Sequence, residues 1–165
     1  MKPAMRTLIA LCLAFAAAVL AAPAPADLGA TIKDCGNTTT AVAFKMFDIN
    51  PNPPKLNAML TMSANGTTSA PVRAATVQVV ALYYGGQVFS QSVNACGTSV
   101  VPLPMGAGKA TVHGLACPLS SGDKASFSVS LPIPDIAPPG QYEIKLVGAD
   151  ARGSVMCLDV NANIQ

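Results

Sequence analysis

Few residues of this chain could do chemistry: five cysteines, one histidine and eight acidic side chains among 165 residues. A histidine acting as general base needs a serine or cysteine nucleophile in reach, an orienting acid and an oxyanion site. No Gly-x-Ser-x-Gly segment accompanies His113, and the carboxylates are scattered, with no pair at a spacing suited to acid–base work. His113 therefore reads as an ordinary strand residue. Gly106-Ala107-Gly108-Lys109 has the flavour of a phosphate loop but lacks Walker spacing and a following helix, so it reads as a turn. With no Cys-x-x-Cys pair and a single histidine, zinc is a weak rival for the cysteines. The expectation is a protein that is not an enzyme and carries no cofactor and no metal.

The cysteines instead point to export. Lys2 and Arg6 begin the chain, Leu8 to Leu20 form an apolar run, and Ala21-Ala22-Pro23-Ala24-Pro25-Ala26 offers small residues for cleavage. That is the pattern of a secretory signal over 1–22, cut somewhere in 21–26. Its apolar run is shorter than the roughly 20 residues a spanning helix needs. Cys12 leaves with it, and the four remaining cysteines imply disulfides with three connectivities open. Two sequons, at Asn37 and Asn65, fit a glycosylating compartment. The formal charge of +2 rests on Lys2 and Arg6; the rest of the chain is balanced, and only 11% of all residues are charged. Nucleic acid is excluded as a partner, and so is permanent electrostatic attachment to anionic lipid.

The elements that must position these residues are strands. Val42, Phe44 and Met46 alternate with small or polar neighbours, as do Leu56, Ala58, Leu60, Met62 and Ala64. Phe127, Val129 and Leu131 alternate with serines, and Tyr142, Ile144 and Leu146 with Glu143 and Lys145. A period of two marks strands with one buried and one wet face. Val77 to Tyr84 is apolar on both parities and reads as a central strand. Asn65-Gly66, Gly85-Gly86 and Ser121-Gly122-Asp123 read as turns. Seven or eight such strands argue for a sandwich or a barrel, all-β and antiparallel. Without tryptophan, and with five Phe and three Tyr, the interior could close tightly or leave a cavity.

The order Cys35, Asn50-Pro51-Asn52-Pro53-Pro54, Cys96, Cys117-Pro118-Leu119, Leu131-Pro132, Pro138-Pro139-Gly140-Gln141-Tyr142 and Cys157 resembles the ML-type lipid-recognition domain. The flavour is that of fungal phosphatidylglycerol/phosphatidylinositol transfer proteins and, more distantly, of soluble Niemann–Pick type C sterol carriers. The resemblance implies an immunoglobulin-like two-sheet antiparallel β-sandwich over 35–165, with a lipid cavity between the sheets and a linker over 23–34. It also implies the pairings Cys35–Cys157 and Cys96–Cys117. Asn57 stands where the family often has glycine, so that turn is a departure. The cysteine pattern favours a phospholipid relative and Val100-Val101-Pro102-Leu103-Pro104-Met105 a sterol one, leaving the headgroup open.

On that reading Leu60, Met62, Val79, Ala81, Phe127, Val129, Leu131, Tyr142, Ile144 and Leu146 are candidates for the cavity wall. Methionine suits such a wall because it adapts its shape. Val101, Leu103 and Met105, in a loop with two prolines, are candidates for its mouth. The expected function is a monomeric, secreted or endolysosomal carrier. It would move a sterol or phospholipid monomer between membranes through transient membrane contact. The rival is an extracellular protein- or glycan-binding sandwich without a cavity; a hydrolase depending on His113 comes third.

Overall fold

The computed structural model describes residues 29–164; the expected signal segment and Cys12 lie outside them. Among the described residues ten strands form: β1 (Ala30–Asp34), β2 (Val42–Asn50), β3 (Met59–Thr68), β4 (Thr76–Tyr83), β5 (Gly86–Asn94), β6 (Thr98–Pro102), β7 (Lys109–His113), β8 (Lys124–Pro132), β9 (Gly140–Asp150) and β10 (Gly153–Ile164). They pair in two antiparallel sheets, ordered β1-β10-β9-β4-β5 and β2-β3-β8-β7-β6. The chain is thus a two-sheet β-sandwich of immunoglobulin-like type. Period-two sequences produce it directly: β3 buries Leu60, Met62 and Ala64, and β8 buries Ala125, Phe127 and Val129 while its serines face outward.

The two ends of the sandwich differ. At one, Val77, Ala95, Leu115 and Met156 are buried almost completely. The Ala95 and Leu115 backbones join there, with the Leu115 N–H donating to the Ala95 carbonyl at 2.7 Å. Gly114 and Gly148 admit this closeness, because a Cβ on either would collide with the Ala95 backbone or the Met156 side chain. At the other end lie Met59, Pro102, Lys109 and Pro132 of one sheet, and Tyr83, Gly86, Gly140 and Ile164 of the other. Cys35 is bonded to Cys157, tying the end of β1 to β10, and Cys96 to Cys117, fastening the crossover from β5 to β6 at the closed end.

Several expectations are corrected. The stretch 23–34, expected as linker, contains β1, whose Ala30 is buried and whose backbone pairs with β10 from Ala162 to Leu158. Met46 does not continue the inward face of Val42 and Phe44. A bulge between Phe44 and Met46 reverses the parity, leaving Met46 66% exposed. Asn65-Gly66 is no turn but lies inside β3 opposite that bulge, where a Cβ on Gly66 would strike the Ala43 carbonyl. The β4–β5 turn is Tyr84-Gly85, one residue early, with both residues at positive φ (47° and 80°), as a two-residue hairpin turn demands. Val101 belongs to β6 rather than to a loop; β6 is an edge strand, where Pro102 is tolerated. Asn57 takes φ 57°, so it occupies the left-handed region that a glycine would.

Candidate functional site

The sheets enclose a cavity of about 520 Å³ at the open end. From the sheet β2-β3-β8-β7-β6 its wall takes Leu60, Met62, Val101, Val112, Val129 and Leu131, and from the opposing sheet Val79, Ala81, Tyr142, Ile144 and Leu146. The loop Leu103–Gly108 adds Leu103, Pro104, Met105 and Ala107, and the segment between β8 and β9 adds Ile133, Pro134, Ile136, Ala137 and Pro138. Among the described residues no charged side chain lines it.

Twelve of the thirteen expected wall and mouth residues are brought together here; the exception is Phe127. Phe127 stands opposite Ala64, one inward position nearer the closed end than Val129 opposite Met62. There the sheets already touch, so its ring is 3% exposed and borders only a residual void of about 10 Å³ with Ile32, Leu158 and Val160. Phe127 is packed core. The mouth candidates separate as well: Val101 is buried wall, Leu103 is half-buried, and Met105 is 82% exposed at the rim.

The wall includes residues that the sequence reading passed over. Tyr83 continues the parity of Val79 and Ala81, and Ala162 and Ile164 continue that of Leu158 and Val160, so alternation could have found them. Ile133 and Ile136 sit in an aperiodic proline-rich segment that gives no such signal. Exposed Val88, Met105 and Ile136 give the opening an apolar rim.

The polar groups of the wall are two phenols. Tyr142 donates its hydroxyl to the Pro138 carbonyl at 2.9 Å, and Tyr83 donates to the Pro139 carbonyl at 3.2 Å. Their ring centroids are 5.0 Å apart, and Tyr84 packs edge-on against Tyr83 at 4.7 Å. Burial, aided by the neighbouring Tyr83, raises the Tyr142 pKa above the ordinary phenol value. Tyr142 thus lines the cavity while its hydroxyl ties the start of β9 to the backbone of Pro138.

The remaining candidates lie elsewhere. Exposed His113 follows Val112 on β7, so it faces away from the cavity, with the Thr98 hydroxyl 3.2 Å from its Nδ1. Exposed Asn37 accepts the Thr39 N–H at 2.9 Å, and exposed Asn65 sits on β3 opposite Met46.

In sequence, residues 29–164 match the family model described as the ML domain. No curated protein matches the chain. Among solved structures, a Niemann-Pick type C2 protein from Japanese carpenter ant superposes with TM-score 0.53 at 15% identity, over 82% of this chain and 99% of that one. Chicken MD-1, solved in complex with lipid IVa, gives TM-score 0.52 at 18% identity, over 81% of this chain and 88% of that one. The C-terminal domain of wzt gives 0.53 at 9% identity, over 82% and 78%. At these identities the likeness is one of fold.

Proposed function

This chain belongs to the ML domain family, and from that membership together with its cavity we propose that it is a lipid carrier acting without covalent chemistry. The observation that carries the reading is the cavity itself, about 520 Å³ between two sheets with no charged lining residue among those described. Such a volume falls within the ~300–1,000 Å³ typical of small-molecule sites. Such a space suits the apolar body of a lipid, an acyl chain or a sterol skeleton.

Burial supplies the affinity. At about 0.8 kcal/mol per methylene, a sixteen-carbon chain gains on the order of 12 kcal/mol before the costs of association. Release into water is then slow, so unloading takes place at a membrane, reached through the apolar rim of Val88, Met105 and Ile136. MD-1 was solved with a bound lipid, which supports the same use of the fold. The two disulfides and the amino-terminal signal pattern support work in a secreted or endolysosomal setting.

The test is native mass spectrometry after incubation with mixed-lipid vesicles, followed by extraction and mass analysis of the bound species. One lipid per chain is the expected result. A bare mass, with vesicle lipid of every class left behind, overturns the carrier reading in favour of a surface-binding module.

A further inference from the structure

We propose that the cavity mouth selects a lipid whose polar end is an uncharged hydrogen-bond donor, a hydroxyl, over one ending in a carboxylate or phosphate; this rests on the carrier reading above. The ground is a donor count. Three residues of the lining loops, Pro104, Pro134 and Pro138, have no N–H to offer. Four others have spent theirs: Leu103 donates to the Gly108 carbonyl at 2.9 Å, Ala107 to Pro104 at 3.1 Å, Ile133 to Ala58 at 2.9 Å and Ala137 to Pro134 at 3.1 Å. Of the lining loop residues, only Met105 and Ile136, exposed at the tips, keep N–H groups with no backbone partner among the described residues.

The phenols complete the pattern. Each has one proton, and Tyr142 and Tyr83 give theirs to the Pro138 and Pro139 carbonyls. What remains is acceptor capacity, in the lone pairs of both phenol oxygens and of those carbonyls. A ligand hydroxyl entering this corner can donate to it. An ionised carboxylate or phosphate only accepts, so in this corner, away from the free N–H groups at the exposed loop tips, it would meet acceptors alone and lose its hydration without replacement. Lys55, Lys109 and Asp135 stand on the flanking segments in mixed sign, and none of them lines the cavity.

The experiment uses the full chain and three single-chain probes of equal length, oleyl alcohol, oleyl methyl ether and oleate at pH 8, each displacing a fluorescent single-chain reporter. One net hydrogen bond places the alcohol roughly two- to twelve-fold above the ether. Oleate is expected at least about tenfold below the alcohol, its charge being uncompensated. Oleate binding as well as or better than the alcohol overturns the proposal. Equal binding of all three overturns the selection while leaving the carrier intact; displacement by none removes the carrier reading and the selection with it. Ile136→Lys, at an exposed rim position, supplies the missing cation. It should bring oleate level with or above the alcohol, and an unchanged order under that substitution also counts against the proposal.

Discussion

The side-chain amide of Asn52 pairs with both backbone groups of Ala30: its Oδ1 accepts the Ala30 N–H at 2.7 Å and its Nδ2 donates to the Ala30 carbonyl at 3.1 Å. Ala30 opens β1, the edge strand of one sheet, and Asn52 sits in the corner between β2 and β3 of the other. The amide thus acts as one residue of a β-ladder and pins the sheets together beside the cavity, where Ala162, the partner of Ala30, forms part of the wall. Asn52→Ala should cost about 1–3 kcal/mol, because it leaves buried backbone groups unpaired. Urea titration gives that loss. Hydrogen exchange should then accelerate at Ala30 and its β1 neighbours before it does in β3 or β8.

The two disulfides should contribute unequally. Their cysteines are 122 and 21 residues apart, for which the chain-entropy model gives about 5 and about 3 kcal/mol. A Cys35→Ser/Cys157→Ser variant should therefore be the less stable of the two double variants. Denaturation curves of both decide it, and equal losses would put the stabilisation elsewhere than in loop closure.

Wall and core should respond differently to truncation. Phe127→Ala removes a packed ring and should cost about 3–5 kcal/mol. Leu131→Ala enlarges a space that already exists and should cost only about 1–2 kcal/mol. Filling the cavity by Ala81→Phe should reduce lipid uptake with little change in stability. Uptake and melting temperature measured on all three variants separate the roles; a Phe127-sized loss for Leu131→Ala would mean a closed interior.

Delivery should depend on the rim. Shallow insertion of Met105 and Ile136 gives about 1.5–3 kcal/mol each at most, enough for a brief encounter with a bilayer. The Met105→Ser/Ile136→Ser variant should transfer lipid between vesicles more slowly while binding it equally well. Because the chain downstream of Lys2 and Arg6 carries balanced charge, added salt should change the wild-type rate little. A rate unchanged by the double substitution would relieve these side chains of any part in delivery.

Uptake should be flat from about pH 5 to 9, since the ionisable groups of the wall are phenols. Burial raises the Tyr142 pKa above the ordinary phenol value. The stability linked to its neutral form is therefore complete below about 10, the unfolded value, and is lost as pH rises through the folded value. Ligand binding followed across this range checks it. Loss of lipid near pH 5 would contradict this expectation.

The residues themselves reveal much of this architecture. Ser126, Ser128 and Ser130 between Ala125, Phe127, Val129 and Leu131 announce a strand with one wet face, because a pleated chain turns successive side chains to opposite sides. Tyr142, Ile144 and Leu146 do the same, and both sets keep their expected inward faces. The charge balance downstream of Arg6 and the even number of cysteines downstream of Cys12 are likewise properties of the chain alone. Alternation fails where a strand meets something non-local. The bulge beside Lys45 reverses the parity of Met46, and Gly66 serves that bulge instead of making a turn. β1 is too short and too charged to announce itself; its partner is β10, at the far end of the sequence.

The site itself required the third dimension. Phe127 and Val129 are equivalent in any reading of alternation, yet one is packed core and the other cavity wall. What separates them is the distance between sheets at each level, set by side chains and loops remote in sequence. Outside the bulge at Met46, the inward-pointing side chains are legible in the chain itself, since their direction follows from the local pleat. Whether they meet partners or empty space was decided only when two sheets, joined tightly at one end, came to rest apart at the other.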